Sequence, residues 1–137
     1  MNEWTVGTVR RVVGPVVETT CTGDAQMLEL VYVGDHRLIG EVVRIRQRSA
    51  WVQVYEDTTG LRPGAPVYGS GEPLSVELGP GLIGAIYDGV QRPLDTLRKN
   101  TGDFIAKGVD APALDRQKRW RFVPALQARC PVTGGMV

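Results

Sequence analysis

Residues 3–20 read EWTVGTVRRVVGPVVETT, and this stretch indicates the fold class. It is rich in valine and threonine, whose β-branched side chains suit a pleated sheet, and it is interrupted by Gly14-Pro15. Because proline cannot donate a ladder hydrogen bond, the interruption belongs at an edge, a bulge or a corner. The stretch therefore predicts two strands, or one bent strand.

The following residues continue the same pattern in short segments. Further strands are predicted at 27–33, 38–47, 51–55 and from Val67, with turns at 21–25, 34–35, 47–50 and 57–64. In the second of these segments Val43 and Ile45 should face the core, with Arg44, Arg46 and Arg48 towards solvent. About six short strands in roughly seventy residues, with no helical period, predict a small closed β-barrel.

After Gly71 the glycines and prolines predict an irregular linker with one short helix. Asp88 and Gln91 have the spacing of a capping box, and Pro93 is tolerated in a first helical turn. Leu94 and Leu97 would share one helix face, and a glycine at position 102 can end the helix.

Composition and charge exclude several classes of function. The 137 residues carry 16 basic and 15 acidic side chains, and net +1 gives no global field for nucleic acid or an anionic membrane. Without a signal peptide or a long apolar run, a cytosolic protein is predicted. Cys21 and Cys130 are far apart, so reduced thiols are expected, and His36 is expected to be a solvated loop residue. No catalytic residue and no metal site is predicted.

Gly79-Pro80-Gly81-Leu82-Ile83-Gly84 matches the Gly-x-Gly-x-x-Gly phosphate fingerprint, with Asp103 near the distance of a ribose-binding acid. Pro80 occupies the turn, and no second βαβ half follows, so linker geometry is the better interpretation. The other phosphate loop, which needs Gly-Lys-Ser or Gly-Lys-Thr, does not occur in the sequence. No cofactor is therefore predicted for these residues.

Two basic clusters are candidate nucleic-acid surfaces. The first consists of Arg44, Arg46 and Arg48 near Trp51 and Tyr55, and the second of Arg116, Lys118, Arg119 and Arg121 around Trp120. Small barrels bind single strands by stacking bases on aromatic side chains in a basic groove. The many acidic residues of the barrel oppose phosphate binding, so a solvated strand face is favoured for the first cluster. A charged surface or a protein contact is favoured for the second.

Long stretches of the chain resemble a known family. These are GTVRRVVGPVV at 7–17, LIGEVVRI at 38–45, VQVYEDTTGLRPGAPV at 52–67, LSVELGPGLIGAIYDGVQRPL at 74–94 and TGDFIAKGVDAPALDR at 101–116. They closely resemble the catalytic A subunit of V-type and archaeal A-type rotary ATPases, nearly continuously from Gly7 to about Phe122.

The resemblance implies three regions. Residues 1–71 would be a six-stranded collar barrel, and residues 72–108 a connector towards a nucleotide-binding domain that lies beyond this chain. Residues 109–137 would begin the family's bulge insert, with partial β structure, and are expected to face the peripheral stalk. The connector motif would consist of Gly79, Pro80, Gly81, Asp88, Gln91, Arg92 and Pro93, and the candidate partner surface of Arg116, Lys118, Arg119, Trp120 and Arg121.

The resemblance also implies partners. The parent would bind Mg-ATP and couple its hydrolysis or synthesis to proton or sodium transport, in a hexameric ring of A subunits and non-catalytic B subunits. These 137 residues are expected to be an N-terminal fragment that supplies assembly surface and no catalysis, without inserting into the membrane. Two alternatives stay open: a free-standing barrel that binds single-stranded nucleic acid, and self-association of the collar surface.

Overall fold

A computed structural model describes residues 4–21, 24–104, 106–109 and 111–135 of the chain. Its elements are β1 (Trp4–Val13), β2 (Val16–Thr20), β3 (Glu29–Val33), β4 (Leu38–Arg46), β5 (Ser49–Val54), β6 (Pro66–Pro73) and α1 (Leu94–Thr101). The strand pattern of the sequence and the short helix are confirmed. The last strand reaches Pro73, two residues beyond the predicted end of the barrel.

The six strands form one closed antiparallel barrel in the order β1-β2-β5-β4-β3-β6. Strands β1 and β2 are joined by Gly14-Pro15, so this dipeptide is a hairpin turn at the rim of the barrel. Strands β4 and β5 are joined by the two residues Gln47 and Arg48, with Arg46 opposite Ser49. Closure leaves no unpaired strand edge among the six.

The interior of the barrel is filled mostly by valine. The buried cluster consists of Val6, Val9, Val17, Val31, Val33, Leu38, Val42, Ala50, Val52, Val54 and Val67. Side chains alternate between the two faces of a strand, so these residues point inward while their neighbours face outward. A six-stranded barrel has a narrow interior, which branched side chains of moderate size can fill.

Strand β4 contains a bulge that the sequence pattern did not predict. The register shifts between Val42 and Arg44, so Val43 is an extra residue opposite β5. Val42 is buried, whereas Val43 is 39% exposed. The expectation that Val43 faces the core was therefore wrong, because the bulge breaks the alternation on which it depended.

Helix α1 begins without the predicted capping box. Its N-cap is Pro93, which has no side chain to donate or accept a capping bond, and its first residue is Leu94. Asp88 and Gln91 bind other partners, because the chain does not become helical until three residues after Gln91. The predicted end is confirmed: Gly102 has φ 78°, and its N–H donates to Arg98 O at 2.9 Å.

The described part of residues 109–137 contains no strand, which corrects the expectation of a partial β insert. Prolines at 112, 124 and 131 remove ladder donors, and every residue from 115 to 135 is exposed, so this segment buries no apolar face as a strand of the barrel does. Among the described residues no helix is long and apolar enough to cross a membrane.

Candidate interaction sites

A buried group of charges lies where the connector meets the barrel; we call Arg92, Asp88 and Glu56 the Arg92 cluster. Arg92 is only 7% exposed. Its Nε donates to Asp88 Oδ2 at 2.7 Å, and its Nη1 lies 3.5 Å from Glu56 Oε2. The same Nη1 donates to the carbonyl of Val109 at 3.0 Å. The guanidinium thus joins Asp88 of the connector, and Val109 directly after it, to one carboxylate of the barrel.

Glu56 follows β5 after a single residue and binds both regions of the chain. Its Oε1 accepts the Ile39 N–H of β4 at 3.1 Å, and its Oε2 accepts the Gly108 N–H at 2.8 Å. Residue 108 must be glycine for the close approach, because a Cβ there would lie 1.7 Å from the His36 carbonyl oxygen. Glu56 therefore holds the end of the connector against the β3–β4 turn.

Asp88 stabilises the loop that leads to Arg92 through hydrogen bonds to its backbone. Its Oδ1 accepts the N–H groups of Val90 at 3.1 Å and Arg92 at 2.8 Å. Burial raises the pKa of the Asp88 carboxyl, but the hydrogen bonds and the charge of Arg92 outweigh burial and leave the pKa below its ordinary value. The ionised form is therefore the one that the fold binds.

A second ionic contact lies beside the Arg92 cluster. Lys107 Nζ is 2.8 Å from Asp57 Oδ2 and donates to the Thr59 carbonyl at 2.7 Å. Lys107, together with the hydrogen bonds from Thr59, holds the pKa of Asp57 well below its ordinary value. Lys107 and the Gly108 N–H thus contact the barrel directly, whereas the Val109 carbonyl binds Arg92.

The first half of the connector is held by one amide side chain. Gln91 Oε1 accepts the Glu77 N–H at 2.6 Å, and its Nε2 donates to the Glu77 carbonyl at 2.7 Å, as a neighbouring strand would. Gly79 to Gly84 form turns, and the next helix begins only at Leu94. The Gly-x-Gly-x-x-Gly stretch therefore lacks the helix N-terminus that a phosphate site of this type requires.

The second basic cluster packs against the connector. Arg116 forms an ion pair with Glu77, and Lys118 Nζ lies 4.4 Å from the centre of the Trp120 ring. The ring lies over Gly81, where a Cβ would come within 3.2 Å of it. A cleft of about 720 Å³ separates this segment from α1. Arg119 and Arg121 are exposed.

Three residues of the first basic cluster, Arg44, Trp51 and Tyr55, have partners within the barrel. The Arg44 guanidinium lies 5.3 Å from the centre of the Trp51 ring, and Tyr55 OH donates to Glu41 Oε2 at 2.8 Å. That bond, with burial and the charge of Glu41, raises the pKa of Tyr55. Each aromatic side chain of this cluster therefore already has a partner within the barrel.

The structure brings some of the sequence-selected residues together and separates others. Asp88 and Arg92 are in direct contact, and Gln91 contacts the chain before Gly79. Pro93 starts the helix, whereas Arg119 and Arg121 face solvent. Sequence reasoning missed Glu56, Lys107 and Gly108. The acidic pair at 56 and 57, one residue after β5, was the local signal that could have indicated this site.

The histidine and the two cysteines were the other residues considered for catalysis or metal binding. His36 is exposed in the β3–β4 turn, as expected for a solvated histidine. Both cysteines are free. Within the described ranges no group of three or more His, Cys, Asp or Glu side chains could hold a metal ion.

Comparison with known proteins shows which proteins the chain is similar to. Residues 9–71 match the family described as the ATP synthase alpha/beta family, beta-barrel domain. The chain is 54% identical over 129 residues to the A subunit of the A-type ATP synthase of Pyrococcus abyssi, covering 94% of this chain and 13% of that relative. It is 52% identical over 132 residues to the corresponding protein of Thermococcus kodakarensis, covering 96% of this chain and 23% of the relative.

A bacterial relative extends the comparison. The V-type ATP synthase alpha chain of Thermoanaerobacter sp. is 48% identical over 129 residues, which are 94% of this chain and 22% of the relative. The chain thus spans less than a quarter of the length of the relatives it matches. Residues 9–71 thus resemble the barrel domain of the ATP synthase alpha/beta family, and over most of its length the chain is similar to the N-terminal region of the A subunit of A-type and V-type ATP synthases.

Proposed function

We propose that these residues are the collar and connector of a catalytic A subunit in a V/A-type rotary ATPase. The parent would couple ATP hydrolysis or synthesis to proton or sodium transport, and the collar would sit on the cytoplasmic side of the membrane. Residues 1–71 would contact neighbouring A and B subunits in a hexameric ring. Residues 109–137 would begin an insert directed to the peripheral stalk.

The observation that carries the proposal is the Arg92 cluster. A connector that transmits a fixed barrel orientation needs directional bonds at both of its ends. Arg92 reaches Asp88, Glu56 and Val109 at once, so it fixes the start of α1 and the end of the connector to one edge of the barrel. A free-standing barrel would gain nothing from a largely buried arginine outside its core, since burying charge costs free energy.

The proposal assigns assembly, and no catalysis, to these residues. Mg-ATP would be bound by the parent, through a Gly-x-x-x-x-Gly-Lys-[Ser/Thr] loop that this sequence does not contain. Isothermal titration of the chain with Mg-ATP should therefore give no heat of binding. A micromolar site would contradict the assignment.

The test of assembly uses the B subunit of the same organism as partner. Size-exclusion chromatography with native mass spectrometry should detect a complex of the chain with B. The matched variant is Arg92→Met, which should lose only the contacts that B makes with the connector, because the barrel itself stays intact. Sedimentation velocity of the chain alone separates this outcome from self-association, and failure of B to bind at any tested concentration would reject the collar function.

A further inference from the structure

One outer face of the barrel differs from the rest of its surface. Cross-strand pairing places four side chains in a single row over β1, β2, β5 and β4: Arg11, Glu18, Trp51 and Arg44. Their sequence neighbours Val17 and Val52 are buried in the core, so the row points outward. The face is flanked by the β4–β5 hairpin, which carries two further arginines.

The face has an excess of positive charge. We call it the arginine face, and it comprises Arg10, Arg11, Arg44, Arg46 and Arg48 with Glu18, Glu41, Trp51 and Tyr55. Its arginines are accessible to solvent. The two carboxylates are partly covered and already have partners: Glu18 lies 3.6 Å from Arg10 and 3.5 Å from Arg11, and Glu41 accepts from Tyr55. Arg46 and Arg48 form no ion pair with any residue that the structure describes.

Part of the face has side-chain contacts of its own before any partner binds, at Arg10, Arg11 and Arg44. Arg44 stacks on Trp51, and the Glu18 carboxylate pairs with the guanidinium groups of both Arg10 and Arg11. Arginine, tryptophan and tyrosine are the residue types that contribute most at protein interfaces. A surface whose long side chains are already ordered loses less conformational entropy on binding.

The same arrangement of side chains disfavours the binding of nucleic acid. Base stacking needs an open aromatic face, and the Arg44 guanidinium lies over the Trp51 ring. Glu18 stands in the middle of the arginine row, where it would repel a phosphate backbone. A folded protein surface can instead place carboxylates opposite the arginines and a donor opposite Glu18, since its charges have both signs.

We propose that the arginine face is the surface with which this barrel contacts the neighbouring subunit of the ring, through a carboxylate-bearing patch on that subunit. The proposal rests on the proposed collar function and adds which face of the barrel is used and which chemistry it recognises. The β3–β6 side of the barrel is left for other contacts.

The experiment measures the dissociation constant of the chain and the B subunit by biolayer interferometry. The variants are Arg46→Glu and the double variant Arg44→Glu/Arg46→Glu, and the control is Arg62→Glu, an exposed arginine in the turn before β6 with the same change of charge. We expect about tenfold weaker binding for Arg46→Glu, a larger loss for the double variant and less than about a twofold change for Arg62→Glu. Added salt should weaken the wild-type complex more than that of the double variant.

The possible outcomes separate the two proposals. If B binds the wild type and the double variant equally, the arginine face is not the contact, and the collar function stands. If B binds neither, the collar function fails and the face proposal fails with it. A labelled single-stranded oligonucleotide serves as the competing probe: salt-sensitive binding that the double variant loses would overturn the protein contact in favour of nucleic acid. Circular dichroism of each variant shows whether the barrel is intact.

Discussion

The barrel and the connector are stabilised in different ways. In the barrel every strand is hydrogen-bonded to two neighbours, so each contact is supported by many others. The described part of the connector has one helix of eight residues and one isolated bridge, between Tyr87 and Pro93. Its position depends on single side chains, chiefly Arg92 and Gln91.

Burial follows the same division. The valines at the centre of the barrel are almost fully buried, whereas the connector exposes Leu78, Ile83, Ile86 and Phe104 by 81%, 100%, 71% and 87%. Apolar burial makes unfolding of the barrel cooperative, and few buried contacts allow the connector to open locally. Substitutions of equal severity should therefore have global effects in one region and local effects in the other.

The largest effect is expected at Gly7, in β1. A Cβ at this position would lie 1.7 Å from the Thr20 carbonyl oxygen, so β1 and β2 would have to separate. Gly7→Ala should therefore destabilise the whole barrel by about 4 kcal/mol, measured by urea denaturation. Gly108→Ala creates an equally close contact, with the His36 carbonyl oxygen, but in the connector. It should change the barrel's unfolding free energy by less than about 1 kcal/mol.

Limited proteolysis completes this matched pair. Gly108→Ala should increase cleavage in the connector while the barrel remains resistant. Equal losses of barrel stability in the two variants would show that the regions unfold as one unit, and the distinction between them would be lost.

The next effect concerns Arg92. Arg92→Met keeps much of the side-chain volume but removes the charge that Asp88 and Glu56 share, and breaking a buried ion pair typically costs about 3 kcal/mol. Hydrogen exchange should therefore become roughly hundredfold faster across residues 88–109, with little change in β1 to β6. The control is Arg98→Met, whose ion pair with Asp103 is 76% and 79% exposed and should contribute little. If exchange rises equally in both variants, Arg92 does not hold the connector in the way proposed.

Acid should release the connector before the barrel. The folded state lowers the pKa of Asp88, so the stability that its carboxylate contributes is fully present above the ordinary pKa of about 3.9. That stability is lost as the pH falls through the lower, folded-state value. As the pH falls below about 3.9, connector exchange should therefore accelerate more in the wild type than in Asp88→Asn, once intrinsic rates are subtracted. Identical profiles would assign the acid response to other carboxylates.

The smallest effect is expected at Gln91. Gln91→Ala removes the two hydrogen bonds to the Glu77 backbone, which are exposed and together stabilise the contact by about 1 kcal/mol. Nuclear magnetic resonance should show faster exchange of the Glu77 amide and no change in the amides of α1. Gln117→Ala, at an exposed position, is the control. An unchanged Glu77 amide would mean that the bridge does not persist in solution.

The barrel could be predicted from the sequence because each strand has a recognisable local pattern of residues. Valine-rich alternation and turn residues located all six strands, and Gly14-Pro15 lies at the β1–β2 turn. The bulge at Val43 was missed because it depends on the register with β5, which no pattern within β4 contains. The capping box was wrong for a related reason: Asp88 and Gln91 bind Arg92 and Glu77 instead of helix N–H groups.

Only the local contacts of the Arg92 cluster could be predicted from the sequence. Asp88 and Arg92 are four residues apart, so a contact between them is local. Glu56 and Gly108 are 52 residues apart, and their hydrogen bond exists only once the barrel has closed and the connector has returned to its rim. Local patterns cannot predict such a pairing, whereas the similarity to A subunits correctly indicated the barrel itself.

The pairing of β1 with β6 has a consequence for biosynthesis. The first strand ends at Val13, and its second partner is complete only at Pro73, about 60 residues later. At roughly 5 to 20 residues per second the ribosome needs several seconds for that interval. During this time β1 lacks one of its two neighbouring strands, so the nascent chain is open to chaperones or to incorrect partners until the sixth strand emerges.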